Sequence, residues 1–188
     1  MFGKTIAGLV ATAALLLPAV ATAKNVEGVE FAEAAQAAGA AVKLVGVGVR
    51  VKWMMNVYAL GVYSASGKKS AASLTGADEA KLLSLHMLRS ISGDKMRAAI
   101  DEGMQENTSE AELARLRPDI DRLKAVLPND FSKGMVVQFA YAPGRGTVVK
   151  IGAAEKLTIA GKPFMSAFWS IWFGRSPADK GLRNSVLD

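Results

Sequence analysis

The stretch "GVGVR" at residues 46–50 brings an alternating apolar run to an end on a guanidinium. In an extended chain successive side chains point to opposite faces. Val45, Val47, Val49 and Val51 therefore share one face, and Leu44, Gly46, Gly48 and Arg50 share the other. The valine face reads as an ordinary core surface. The other face lacks side-chain bulk at Gly46 and Gly48 and finishes at Arg50, which describes a trough leading to a fixed positive charge. A trough of that kind suits an amphiphilic anion. Two plainer accounts stand beside it: glycines in a strand relieve crowding beneath a packed helix or mark a bulge, and Arg50 caps the strand in solvent or pairs with an acid.

A second strand, "VYALGVY" at 57–63, follows after a short connection. The hairpin brings Tyr58 near Arg50, where a phenol can donate to the same anion that the guanidinium binds. Arg89 shares the parity of Leu83, Leu85, Met87 and Ile91, so it is a second cation aimed inward. Buried without a partner it would be costly, so it needs an acid, backbone carbonyls or a ligand anion. The single histidine, His86, falls on the opposite parity with Ser84 and Ser90, with no partner for base or ligand chemistry. No grouping has metal-ligand spacing, no Ser/His/Asp triad is visible, and "GVGVR" lacks the third glycine and the following helix of a dinucleotide site. Neither a metal nor an organic cofactor is expected. Asp101 and Glu102 are adjacent on a helix and point apart, as a solvated face does. Phe164, Phe168, Trp169, Trp172 and Phe173 have helical spacing and read as core that can also wall an apolar pocket.

These residues need elements to hold them. Period-two alternation predicts a strand over 42–51, a second over 57–63 and a third over 81–91, with 52–56 as a hairpin connection. The alanine-rich stretch 31–41 reads as a short helix or an extended lead-in. Met96, Ile100 and Met104 predict a helix over 94–108. Ser109 with Glu112 three residues on fits a capping box, so a second helix starts there and runs to Val126. Strands over 134–141 and 146–151 flank an Ala142-Pro143-Gly144-Arg145 turn, and 157–159 adds a short strand. A helix over 164–173 stops at Gly174, and another, capped by Ser176 with Pro177 in its first turn, covers 178–186. The order is α+β with an antiparallel sheet.

Composition narrows the classes. Lys and Arg number 23 against 17 Asp and Glu, a formal +6, yet the basic residues are scattered and the longest run is Lys68-Lys69. There is no basic stripe for nucleic acid, although weak attraction to anionic surfaces or ligands fits this balance. With no cysteine, disulfides and thiolate chemistry are excluded. Lys4, the uncharged run from Ile6 to Val20 and Ala21-Thr22-Ala23 read as a secretory signal peptide with an A-x-A cleavage site. The expectation is an exported, most simply periplasmic, single domain over 24–188. No later run reaches the roughly 18 uncharged residues of a spanning helix.

Together, "GVGVR" at 46–50, "VYALGVY" at 57–63, "PGRGT" at 143–147 and "FWSIWFGRSPADKGLRNSVL" at 168–187 resemble the chalcone isomerase superfamily, in particular its exported bacterial chalcone isomerase-like branch. The resemblance implies an open-faced β-sandwich, a large antiparallel sheet with helices over one face and a ligand cleft between them. In the plant isomerases the arginine of a G-x-G-x-R strand attracts a phenolate, aided by a threonine on the next strand and by a tyrosine and an asparagine from a later helix. Arg50 matches the arginine. Tyr58 stands at the threonine position, as in the noncatalytic fatty-acid-binding members, which hold a carboxylate with arginine and tyrosine. The helix over 94–108 offers no counterpart of the catalytic tyrosine and asparagine, Ile171 stands where a serine or threonine would align, and the hairpin after Arg50 is shorter. The resemblance implies binding of a fatty acid or similar amphiphilic carboxylate by Arg50 and Tyr58, and the parity reading adds Gly46, Gly48 and Arg89 to the binding site. The alternative is a cofactor-free isomerase adding a phenolate to an enone, with Arg50 stabilising the anion and Tyr58 orienting a ketone or water. A third account is an interaction protein whose cleft is filled by its own Phe and Trp side chains.

Overall fold

The computed structural model describes residues 23–188. The expected leader, residues 1–23, lies outside it apart from Ala23. In chain order the elements are β1 (Ala23–Val26), β2 (Val29–Ala32), β3 (Ala34–Ala37), β4 (Ala40–Lys52), β5 (Met55–Ser64), α1 (Ala71–Gly76), β6 (Lys81–Met87), β7 (Ile91–Ser92), α2 (Gly93–Asn107), α3 (Glu110–Val126), β8 (Asp130–Phe131), β9 (Val136–Ala142), β10 (Gly146–Ile151), β11 (Ala154–Ile159), α4 (Lys162–Phe173) and α5 (Lys180–Leu187). Seven strands form one antiparallel sheet in the order β11-β10-β9-β6-β5-β4-β3. The α+β architecture expected from the sequence is the one observed.

Directly opposed residues of an antiparallel pair share a face, and the register identifies which face is the core. Gly48 opposes Leu60, Leu60 opposes Leu85, and Leu85 opposes Val137. Leu60, Leu85 and Val137 are buried with Ile100 and Met104 of α2, Ile120 and Leu123 of α3, and Phe164, Phe168 and Trp172 of α4. The helices therefore cover the glycine face of β4. Val47 and Val49 are only half-buried on the reverse, and Val51 is exposed. The valine face, read as an ordinary core surface, is one only in part: Val45, at the bulge between Leu44 and Gly46, is buried in the main core, whereas Val47, Val49 and Val51 are not buried. Alternation separates two faces, but the pleat is symmetric, so it does not say which one the helices cover.

The reverse face carries the β1–β2 hairpin, whose Phe31 packs on Gly61 and edge-on to His86, with ring centroids 4.8 Å apart. A β-carbon at Gly61 would overlap the Phe31 ring. His86 shares a hydrogen bond of 3.1 Å with Ser84, and Gln138 donates to the same hydroxyl at 3.3 Å. Burial lowers the imidazole pKa, so its role is packing in the neutral form.

Several boundaries differ from the sequence reading. The third strand ends at Met87, and 88–90 turn away from the sheet. Residues 31–41 are extended, split between β2, β3 and the start of β4. Ser109 caps α3 as expected, its Oγ accepting from the Glu112 N–H at 3.3 Å. The last helix is capped by Asp179 instead of Ser176, its Oδ1 accepting from Leu182 N–H at 3.0 Å. Helix α1 has no apolar period long enough to announce it.

Lys81 is fully buried, and its ammonium donates to the Ser73 and Leu74 carbonyls at the end of α1, 2.8 Å each. Burial holds its pKa down, from 10.5 to about 8. Between those values the unfolded chain binds a proton that the folded one does not, so this lysine makes stability rise with pH from about 8 upward. Tyr63 and Tyr141, pushed up from 10.0 to about 12 chiefly by burial, act oppositely only above pH 10. Thermal melts between pH 8 and 10 should show a rising Tm in the wild type and a flatter profile in Lys81→Met.

Candidate functional site

Arg50 and Tyr58 are register partners across β4 and β5, so their side chains leave the sheet on the same, helix-covered face. The register shifts between Arg50 and Val51, a bulge that re-aims the end of β4. Asp179 holds that bulge: while Oδ1 caps α5, Oδ2 accepts from the Val51 N–H at 2.8 Å. One carboxylate thus ties the C-terminal helix to the strand end that presents Arg50.

Above these residues lies a cavity of about 440 Å³, within the roughly 300–1,000 Å³ of small-molecule sites. Its floor is Leu85, Val137 and Phe139 from the sheet, and its roof is Phe168, Ile171 and Trp172 from α4 with Met96 and Ile100 from α2. Polar groups gather at one end: Arg50, Tyr58, Arg89, Lys52 and Lys95, opposed among the lining residues by the single carboxylate Glu102. The aromatic cluster of α4 stacks on itself, with Phe168 edge-on to Trp172 at 5.3 Å, yet leaves this space open.

Tyr58 is buried, and its oxygen accepts from Trp172 Nε1–H at 2.8 Å. An indole nitrogen only donates, so the phenol's own proton remains for another acceptor. Burial raises the Tyr58 pKa, the Arg50 guanidinium pulls it down less strongly, and Trp172 adds a smaller lowering. The net rise keeps the phenol neutral near pH 7, as a donor. Tyr58→Phe leaves the buried indole N–H without its acceptor and should destabilise the fold by about 1–3 kcal/mol in denaturant titrations.

Among the described residues neither Arg50 nor Arg89 makes an ion pair. Arg89 sits past the end of β6, where its guanidinium meets the Met55 sulfur and lines the cavity mouth. Arg50, Tyr58 and Arg89 thus meet at one cavity. Gly46 and Gly48 do not line it. A β-carbon at Gly46 would overlap the Val186 carbonyl, and one at Gly48 would stand 2.9 Å from the Leu182 oxygen. The expected trough is therefore filled by the backbone of α5, and the glycines are there for close approach of helix and strand. The ligand space lies beside them, over β5, β6 and β9.

Sequence reasoning missed Trp172 as the partner of Tyr58, because its helical spacing reads as core. It also missed Asp179 and the lysines of the rim, which carry no spacing signal.

A family model described as chalcone isomerase-like matches residues 23–188, the whole described chain. The chain belongs to the chalcone isomerase-like family. No curated protein sequence matches this family member significantly. Among solved structures it is similar to the crystal structure of an Arabidopsis thaliana fatty-acid binding protein, with a TM-score of 0.67 and 15% identity over 88% of this chain and 96% of that one. At that identity the likeness shows the fold: the helix-covered antiparallel sheet of this chalcone isomerase-like chain is shared by the plant protein.

Proposed function

We propose that this chalcone isomerase-like chain is a noncatalytic binding protein for a fatty acid or similar amphiphilic carboxylate, and that it works after export, in the periplasm. The observation that carries the reading is the pairing of Arg50 with Tyr58 at the charged end of an apolar 440 Å³ cavity. A guanidinium that makes no ion pair among the described residues and a phenol with a proton to donate can together hold a carboxylate by charge-assisted hydrogen bonds. The fatty-acid binding described for the plant neighbour supports the same assignment. The signal-like leader supports export.

Energetics divide the task. Each buried methylene is worth roughly 0.8 kcal/mol, so a dozen give on the order of 10 kcal/mol gross, offset by a comparable cost of association. The head group adds about 1.5–3 kcal/mol and fixes orientation. The tail supplies affinity and Arg50 supplies direction.

Catalysis finds less support. Helix α2 lines the cavity with Lys95, Met96, Ala98, Ala99, Ile100 and Glu102, with no tyrosine or asparagine among them. Asn107, at its end, is spent on the Gly103 and Ser176 backbones, donating to both carbonyls at 2.8 Å and accepting from the Ser176 N–H. Organic extraction of purified protein followed by mass spectrometry should yield a fatty acid, and chalcone absorbance should decay at the spontaneous rate. Lipid-free protein without fatty-acid affinity, or a chalcone decay accelerated by the protein, would overturn the assignment.

A further inference from the structure

The β4–β5 hairpin closes through Trp53 and Met54, 81% and 97% exposed, between the exposed Val51 and Met55. Both loop residues have positive φ, 49° and 61°. A two-residue loop with positive φ at both positions favours Asn-Gly or another glycine pair. Two other two-residue hairpin loops of the chain follow that preference at their second position, Glu27-Gly28 and Ala38-Gly39. At 53–54 the chain places its bulkiest exposed apolar side chains in a backbone conformation that disfavours them. Strain of this kind persists where something other than folding requires the residues.

The surroundings point to what that is. Lys52 Nζ stands 5.5 Å from the Trp53 ring centre, and Arg50, Arg89 and Lys95 ring the adjacent cavity mouth, which Trp53 also borders. An exposed tryptophan and methionine at a protruding tip, set among cations, match the layering of an anionic lipid interface: rings and thioether at the acyl boundary, ammonium and guanidinium groups at the head groups. The tip presents four exposed apolar residues, few against the roughly 20–30 residues a side of a stable protein interface.

We propose that the Trp53-Met54 tip docks the protein on anionic membrane surfaces, so that the mouth of the cavity opens against the lipid. Docking concerns the protein without cargo and goes beyond the ligand assignment, and each can fail without the other. The contact proposed is a peripheral one made by the tip; no helix among the described residues is long and apolar enough to cross a membrane.

The test is co-sedimentation of the protein, without added fatty acid, with vesicles of phosphatidylcholine containing phosphatidylglycerol and with vesicles of phosphatidylcholine alone. Tryptophan fluorescence with brominated lipid provides the second readout. Trp169 is buried and Trp172 lies in the cavity roof, so the part of the quenching that is lost on replacing Trp53 reports the tip. Binding should require phosphatidylglycerol, weaken with salt, and fall ~10-fold or more in the double variant Trp53→Asn, Met54→Gly. That variant installs the residues the turn prefers, so its melting temperature should equal or exceed the wild type's. Absence of vesicle binding at low salt, equal binding by the variant, or self-association through the tip in place of vesicle binding would overturn the proposal.

Discussion

Replacing Arg50 with alanine should weaken fatty-acid binding by about 10- to 100-fold while leaving the fold intact. The magnitude follows from the loss of a charge-assisted hydrogen bond of about 1.5–3 kcal/mol at a head group partly withdrawn from water. Arg50 is half-exposed and makes no ion pair among the described residues, so its removal strands no buried carboxylate. The methylene contribution, set by Leu85, Phe139, Phe168 and their neighbours, persists in the variant. Residual affinity that no longer distinguishes an acid from a neutral analogue is therefore expected. Calorimetric titration of both proteins with one fatty acid reads the difference, and an affinity equal to the wild type's would remove Arg50 from the site.

A large stability effect is expected at Gly46. A β-carbon there would overlap the Val186 carbonyl and approach its Cα to 2.8 Å. Those are backbone atoms of α5, and a rotamer change cannot relieve the clash. Gly46→Ala must push α5 away from β4 or bend the strand, and overpacking of this kind costs roughly 1–3 kcal/mol. For a domain of this size that lowers Tm by about 2–4 °C per kcal/mol. Because α5 is tied through Asp179 to the bulge beside Arg50, some loss of ligand affinity should follow the structural change. A melting curve superimposable on the wild type's would mean that helix and strand are not packed as described. Had the glycine face formed an open trough, the same substitution would have spared stability and reduced affinity alone.

That contrast shows what was legible in the chain. Alternation placed Arg50 with the glycines, and the short hairpin brought Tyr58 beside it, a relation the register realises as a direct cross-strand pair. The helices over α2 and α3 were legible from their apolar spacing and from the Ser109 cap. The occupancy of the glycine face was not, because the covering helix lies some 130 residues away in sequence and local pattern carries no information about docking. Trp172 presented the same difficulty. Its period is that of a core helix, and only the fold brings its N–H to an oxygen 114 residues distant. The third strand ends at Met87, short of the 81–91 that parity predicts, because Arg89 and Ile91 continue the parity of Leu85 and Met87 after the backbone has left the sheet. Arg89 reaches the cavity from a turn.

Under the proposed function, the charged end of the cavity holds a carboxylate by Arg50 with Tyr58. A double comparison tests it most directly: a fatty acid and its methyl ester, each titrated calorimetrically into the wild type and into Arg50→Ala. The wild type should prefer the acid by about 10- to 100-fold, and this preference should disappear in the variant, the ester binding both proteins alike. Equal affinity of the wild type for acid and ester, or an acid preference that survives the loss of Arg50, would contradict it.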